Sequence, residues 1–196
     1  MTGAVNLELP LRHRGEKQRQ EKRRIALQAA RLVPDGAVVG LTGGTTTSEL
    51  ARVLAERGGL TIVTNAMNIA ADLIVRPDVR LVIVSGIART TGYELVGPAA
   101  ERMLALYHLD IAFIGVAGLT AQEGCTTHDE MEAQIDRAFL RSSARAVVLA
   151  GITKIGRVRF AKICALSEVQ DLVTDDALTK EQEKGIADCG VRVHRA

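Results

Sequence analysis

Residues 37–54, AVVGLTGGTTTSELARVL, decide the fold. Ala37–Leu41 is a short aliphatic run, the length of a buried strand and too short for a buried helix. Thr42-Gly43-Gly44 breaks it. Leu50, Val53 and Leu54 then recur at helical spacing, and Gly58-Gly59 ends that helix. A strand that enters a helix through a glycine turn is the opening half of a β-α-β crossover.

The same alternation extends outward in both directions. Upstream, Ile25, Ala26, Ala29, Ala30 and Val33 predict a helix over 16–33, stopped by Pro34-Asp35-Gly36. Downstream, strands are expected at Leu60–Thr64, Val79–Ser85, Ile111–Val116, Ala146–Ala150, Leu172–Thr174 and Val191–His194. Helices are expected at Asn65–Val75, Pro98–Tyr107, His128–Ser143 and Lys180–Asp188, with Pro98 at a first helical position. The stretch Ile152–Leu166 is the least regular and reads as a loop with an antiparallel edge strand. Strands alternating with helices predict an α/β fold, a mostly parallel central sheet with helices on both faces. Residues 1–24 read as a linker segment and the basic start of the first helix, and 25–196 as one α/β domain.

Composition narrows the function. The chain has 196 residues, 47% of them hydrophobic and only 3% aromatic, with no Trp. An aliphatic core suits buried parallel strands, and scarce rings argue against a base-stacking nucleic-acid platform. Residues 11–24 carry seven Lys or Arg against two Glu, a local +5 that leaves −3 elsewhere from the overall +2. That run reads as a solvated helix face. Cys125, Cys164 and Cys189 are odd in number and far apart, which predicts neither a disulfide framework nor zinc and fits a reducing cytoplasm. No apolar run reaches membrane-span length.

In open parallel sheets ligands bind beyond the carboxyl ends of the strands. The residues expected there are Gly43, Gly44, Thr45, Thr46 and Thr47; Thr64 and Asn65; Ser85, Gly86 and Arg89; and Lys154. Glycines admit backbone to a ligand, hydroxyls and N–H groups donate, and a helix start adds positive potential, so these residues point to an anion such as phosphate. Gly43–Ser48 is neither a Walker loop nor a GxGxxG turn, and a plain threonine cap after a glycine turn competes with the anion reading. The five strand ends considered carry no carboxylate; Glu94, Glu123, Asp129 and Asp175 lie in or near loops and could fold over them. His128-Asp129-Glu130 with Glu132 reads as a first-turn complement to the helix dipole and not as a metal cluster.

These motifs resemble the C-terminal effector-binding domain of DeoR-family transcriptional regulators. The residues that carry the resemblance are Lys22-Arg23-Arg24-Ile25-Ala26, Gly44-Thr45-Thr46-Thr47, Thr64-Asn65, Leu95-Val96-Gly97, Asp110–Gly115, Gly124-Cys125-Thr126-Thr127 and Lys154-Ile155-Gly156-Arg157. The resemblance implies a fold similar to ribose-5-phosphate isomerase and a phosphorylated sugar or polyol as effector. It also implies a homo-oligomer, dimer or tetramer, that touches DNA only through an N-terminal winged helix-turn-helix, which the chain as given lacks. It implies no enzymatic activity and no cofactor. Three positions depart from the family pattern: Thr42 and Gly151 stand where an Asp is usual, and Asp136 where a Lys is frequent. The two lost acids leave fewer acceptors for sugar hydroxyls. A sugar-phosphate isomerase and an oligomerisation module with a degenerate pocket are the alternatives.

Overall fold

A computed structural model describes Glu8, Pro10, Leu11 and residues 18–196. Most of the linker expected over 1–24, with Arg12, Arg14 and Lys17 of the basic run, lies outside the described residues.

Seven strands form one sheet: β1 (Val38–Leu41), β2 (Leu60–Thr64), β3 (Val79–Ile83), β6 (Ile111–Gly115), β9 (Ala146–Leu149), β11 (Asp171–Thr174) and β12 (Arg192–Arg195). Their order is β12-β11-β9-β6-β1-β2-β3, and every neighbouring pair is parallel. The helices are α1 (Arg19–Ala30), α2 (Thr45–Ala55), α3 (Met67–Leu73), α4 (Pro98–Leu104), α5 (Glu130–Arg141) and α6 (Lys180–Ala187).

The period of two along each strand sorts side chains between the faces. Val39, Leu41, Ile62, Ile111, Phe113, Val147, Leu149 and Val173 join one buried cluster with Ile25, Ala29, Leu50, Leu54 and Ile69 of α1, α2 and α3. The opposite side chains, among them Val63 and Ala112, pack with Leu104 of α4 and Ile135 and Phe139 of α5. Gly40 has no side chain because none fits: a Cβ there would lie 2.7 Å from Leu109 and 3.0 Å from Phe139. Both faces are therefore covered, which is why the strands read as continuous aliphatic runs.

Two smaller sheets lie outside the main one, and only one of their strands is expected from the sequence. The glycine-bearing stretch after β3 is a hairpin of β4 (Ile87–Arg89) and β5 (Glu94–Val96), turned at Gly92 and at Tyr93, whose φ is +57°. Three-residue strands show no period to read. After β6, strands β7 (Gly118–Thr120) and β8 (Gly124–Thr127) form a second hairpin. The antiparallel strand expected within 152–166 exists as β10 (Ala161–Cys164), but it pairs with β8 at the edge of a separate three-stranded sheet. The main sheet stays wholly parallel.

The chain order places the site. From β1 the chain moves to β2 and β3 on one side, then returns to lay β6, β9, β11 and β12 on the other. The direction reverses between β1 and β6, and a crevice opens at such a switch point.

Candidate functional site

The turn after β1 crosses the end of β6. Thr42 N–H donates to Phe113 O (3.2 Å), and Gly115 N–H donates to Thr42 Oγ1 (3.0 Å). A Cβ on Gly115 would lie 2.7 Å from Gly43 O, so glycine at 115 is what allows the crossing. Gly44 has φ +134° and ψ 157°, a region open in practice only to glycine. It starts α2 with no side-chain cap. Ser48 N–H returns to Gly44 O (3.0 Å), so the earlier amides of the helix have no intrahelical acceptor.

The residues that carry those amides line a cleft of about 570 Å³. Gly43, Gly44, Thr45, Thr46 and Thr47 form one wall with Gly115, Val116 and Ala117 of the neighbouring strand end. Gln18, Glu21, Lys22 and Ile25 of the first turns around α1 form another. Lys154, Arg157, Arg159 and His128 bring nitrogen donors, and Glu94, Glu132 and Asp175 bring carboxylates. Among the described residues no group of His, Cys, Asp and Glu has a metal-holding arrangement.

Six of the expected site residues meet at this cleft: Gly43, Gly44, Thr45, Thr46, Thr47 and Lys154. Thr64, Asn65, Ser85, Gly86 and Arg89 do not line it. Thr64 and Asn65 are fully buried; Thr64 Oγ1 donates to Leu41 O (2.7 Å) and Asn65 Nδ2 to Leu95 O (3.2 Å), fixing β2 to β1 and to β5. Ser85 and Gly86 are exposed where the chain leaves β3 for the hairpin. A Cβ on Gly86 would lie 2.6 Å from Val96 O, so that glycine lets the hairpin close. Arg89, expected as a cation for the ligand, faces carboxylates instead: Glu94 (3.3 Å), Asp129 (3.4 Å), Glu132 (3.5 Å) and Glu8. Burial lowers its affinity for the proton, but Glu132, Glu8 and Glu94 outweigh that and hold the guanidinium above its ordinary range.

Glu94 and Asp175, expected only as loop acids that could fold over the strand ends, both line the cleft, and so does Glu132, expected as a complement to the helix dipole. Glu94 sits on β5 and is 2% exposed, its carboxylate against Gly43, where a Cβ would lie 1.9 Å from Glu94 Oε1. Glu132 is in the first turn of α5, behind Asp129, which caps the helix by accepting from Met131 N–H and Glu132 N–H. Asp175 follows β11 directly, a strand end that could have been read from sequence. It accepts from Ile152 N–H (2.8 Å) and Ala177 N–H (3.2 Å), holding the turn that carries Lys154. The three departures from the family pattern also take a place. Thr42 is fully buried and ties the two strand ends together. Gly151 lies against Asp175, whose Oδ2 would be 3.3 Å from a Cβ there. Asp136 is 1% exposed, and among the described residues neither carboxyl oxygen has a hydrogen-bond partner. Burial first, then Glu132 and Glu94, push its carboxyl well above the usual aspartate range.

Residues 17–176 match the DeoR C terminal sensor domain. The chain is 32% identical over 182 residues to the HTH-type transcriptional regulator GlpR of Haloferax volcanii, covering 91% of this chain and 71% of that protein. It is 28% identical over 166 residues to the glycerol-3-phosphate regulon repressor of Escherichia coli K12, covering 85% and 66%. The chain spans about two thirds of the length of the curated relatives it matches, 64% to 71% among the first four. In fold it is similar to a ribose-5-phosphate isomerase in complex with phospho-erythronic acid, with TM-score 0.53 and 15% identity over 70% of this chain and 54% of that one. A RipA structure gives TM-score 0.56 and 17% identity over 86% and 47%. The matched residues contain the whole crossing from β1 into α2 and the Lys154 turn, and the chain belongs to the family of DeoR C-terminal sensor domains.

Proposed function

We propose that this domain senses a phosphorylated sugar or polyol in the cleft between β1 and β6. The observation that carries the reading is the start of α2, an uncapped helix N-terminus at the switch point whose residues line a cleft. A phosphate there accepts the first amides of α2 and gains from the helix dipole. Lys154 adds a cation at the same cleft, and Glu94 and Glu132 supply acceptors for hydroxyls at its floor. The name of the Escherichia coli relative, a glycerol-3-phosphate regulon repressor, is consistent with an effector of this kind. Residues up to 24 serve as the linker to a DNA-reading head, and 25–196 as the sensor, which acts as a homo-oligomer. Effector binding favours one arrangement of head and sensor over another.

Thermal unfolding against sugar phosphates, polyol phosphates, unphosphorylated sugars and inorganic phosphate tests this. A ligand at about 100 times its Kd adds ~2.7 kcal/mol, a rise of roughly 5–10 °C for a domain this size. Response to phosphorylated compounds alone supports the reading; no response across the panel overturns it. One observation favours a second reading, a sugar-phosphate isomerase: the cleft holds Glu94, Glu132 and Asp175, and isomerisation needs a carboxylate base. Conversion of ribose 5-phosphate by the pure protein decides for that alternative.

A further inference from the structure

The two edges of the main sheet are finished differently. The β12 edge carries Arg192, His194 and Arg195, side chains of the kind that keep an edge from pairing; the first two reach Asp171 and the third Glu183. The β3 edge carries Leu81, Val82 and Ile83, with Arg80 as its one charged residue. Val84 N–H donates to Thr64 O (2.8 Å), so the even-numbered residues of β3 turn their main chain toward β2. By alternation Val79, Leu81 and Ile83 turn theirs outward. Val79 N–H is taken by Arg76 O (3.2 Å). Among the described residues, this leaves Leu81 and Ile83 with both N–H and C=O open at the edge. Beside the edge, Met67, Ala71 and Ile74 recur at helical spacing on one flank of α3, and all three are exposed, Ile74 at 68%. The other flank faces α2: Asn68 Nδ2 donates to Ser48 Oγ (2.7 Å), and Arg52 Nε to Asp72 Oδ2 (3.1 Å). Because α3 covers β2 and β3, its apolar flank looks out over the β3 edge, next to Val75 (74% exposed) and Ile83 (38%).

We propose that a second copy of the chain covers this edge, β3 pairing with β3 about a two-fold axis at Val82. A two-fold axis makes a strand antiparallel to its own copy. The axis at Val82 sets Leu81 opposite Ile83 of the other copy, and Ile83 opposite its Leu81. Each such pair exchanges both main-chain hydrogen bonds, so the residues left open are the ones satisfied. Charge fits the same register. Arg76, Asp78 and Arg80 precede the centre, and residues 83–88, Ile-Val-Ser-Gly-Ile-Ala, follow it without charge. The two-fold lays each charged half on an uncharged one, and the two Arg80 residues stand roughly 13 Å apart along the strands. The two α3 helices come to lie two strand spacings apart, about 10 Å, which is a helix-packing distance. Met67, Ala71 and Ile74 of each then lie between them. The edge matches itself in hydrogen bonding, apolar surface and charge, and this selects a second copy over an unrelated strand. None of these residues lines the cleft, so the surface is independent of what the cleft binds; it gives the homo-oligomer of the proposed function its interface.

Sedimentation equilibrium of the full chain at roughly 100 µM, well above the Kd of a standard-sized interface, tests this. A dimer or a multiple of one is expected. Ile83→Lys takes a charge into both halves of the contact; it is expected to raise the Kd at least ~100-fold and to halve the mass. Phe160→Lys, at an exposed aromatic beside β10 in the separate three-stranded sheet, is expected to leave the mass unchanged. Circular dichroism reports whether each variant is folded. Oxidation reads the register. Val82→Cys sets two thiols at a non-hydrogen-bonded pair, where Cα atoms are about 4.5 Å apart, so oxidised glutathione is expected to link the dimer above the wild-type background. Arg80→Cys is expected to give no such link, and this comparison decides the case should Ile83→Lys fail to fold. A monomeric wild type, a full-sized Ile83→Lys, or linking of Arg80→Cys as readily as Val82→Cys overturns the proposal. A full-sized Ile83→Lys leaves the homo-oligomer standing on another face. A monomer whose melting still responds to phosphorylated compounds leaves the sensor reading intact.

Discussion

The two sides of the cleft are made in opposite ways. The α2 side is a contiguous run, Gly43 to Thr47, and offers backbone amides. The floor is made of carboxylates, Glu94 and Glu132, which Arg89 meets from outside the lining and which come from a hairpin and a helix far apart in sequence. Backbone donors are fixed by the fold and cost no rotamer freedom, whereas the acids need partners to hold them in place. The first side suits one invariant group, such as a phosphate. The second, under the proposed function, would contact what the phosphate carries.

The sharpest way to break this contrast is Gly44→Ala. A side chain at φ +134° and ψ 157° costs about 1–3 kcal/mol, and relieving it turns the start of α2 away from the cleft. A thermal midpoint lower by roughly 2–10 °C is expected. Phosphate-ester affinity, by calorimetry, is expected to fall roughly tenfold to a hundredfold, the worth of a lost charge-assisted hydrogen bond. Affinity equal to wild type would show that the backbone is not what holds the anion.

The same contrast explains what could be read from sequence. The α2 side was legible because its signal is local: a strand, two glycines and a helix start lie within residues 37–54. The parallel sheet was legible because Val39, Leu41, Ile111 and Phe113 sit in unbroken aliphatic runs. The floor was not. Glu94 reaches Gly43 only once β4 and β5 pair, and three-residue strands leave no periodicity. Glu132 read as an ordinary first-turn acid, which it is along the helix; its contact with Arg89 depends on how α5 packs on the hairpin. Arg89 read as a ligand cation because its position after β3 was visible and its four carboxylates were not.

A smaller effect, confined to the acidic side, comes from Asp136→Asn. The folded-state affinity of Asp136 for its proton is raised, chiefly by burial and then by Glu132 and Glu94. The stability it contributes is fully present below its unfolded value, about 3.9, and is lost as pH rises toward the raised folded value. Asparagine has no such dependence. The stability of the variant relative to wild type should therefore rise with pH, checked by melts at pH 4.5 and pH 8. A constant difference between the two pH values would mean that the affinity of Asp136 for its proton is not raised by folding.

The smallest effect separates backbone from hydroxyl on the α2 side. Thr47 is fully buried, and its Oγ1–H donates to Gly44 O (2.9 Å) rather than to the cleft. Gly44 O also accepts Ser48 N–H (3.0 Å) and Ser48 Oγ–H (2.7 Å), so it stays satisfied without Thr47. Thr47→Val keeps the shape and removes only that donor, for a stability loss of about 0.5–1.5 kcal/mol, toward the lower end. Affinity for the phosphate ester should stay within about twofold of wild type, a change of less than ~0.5 kcal/mol. Thr47 is among the lining residues, but a hydroxyl hydrogen donated to Gly44 O is not available to a ligand. If Thr47→Val lowered affinity as far as Gly44→Ala, the threonine hydroxyls and not the amides would be the anion's partners, and the two sides of the cleft would recognise ligand by the same means.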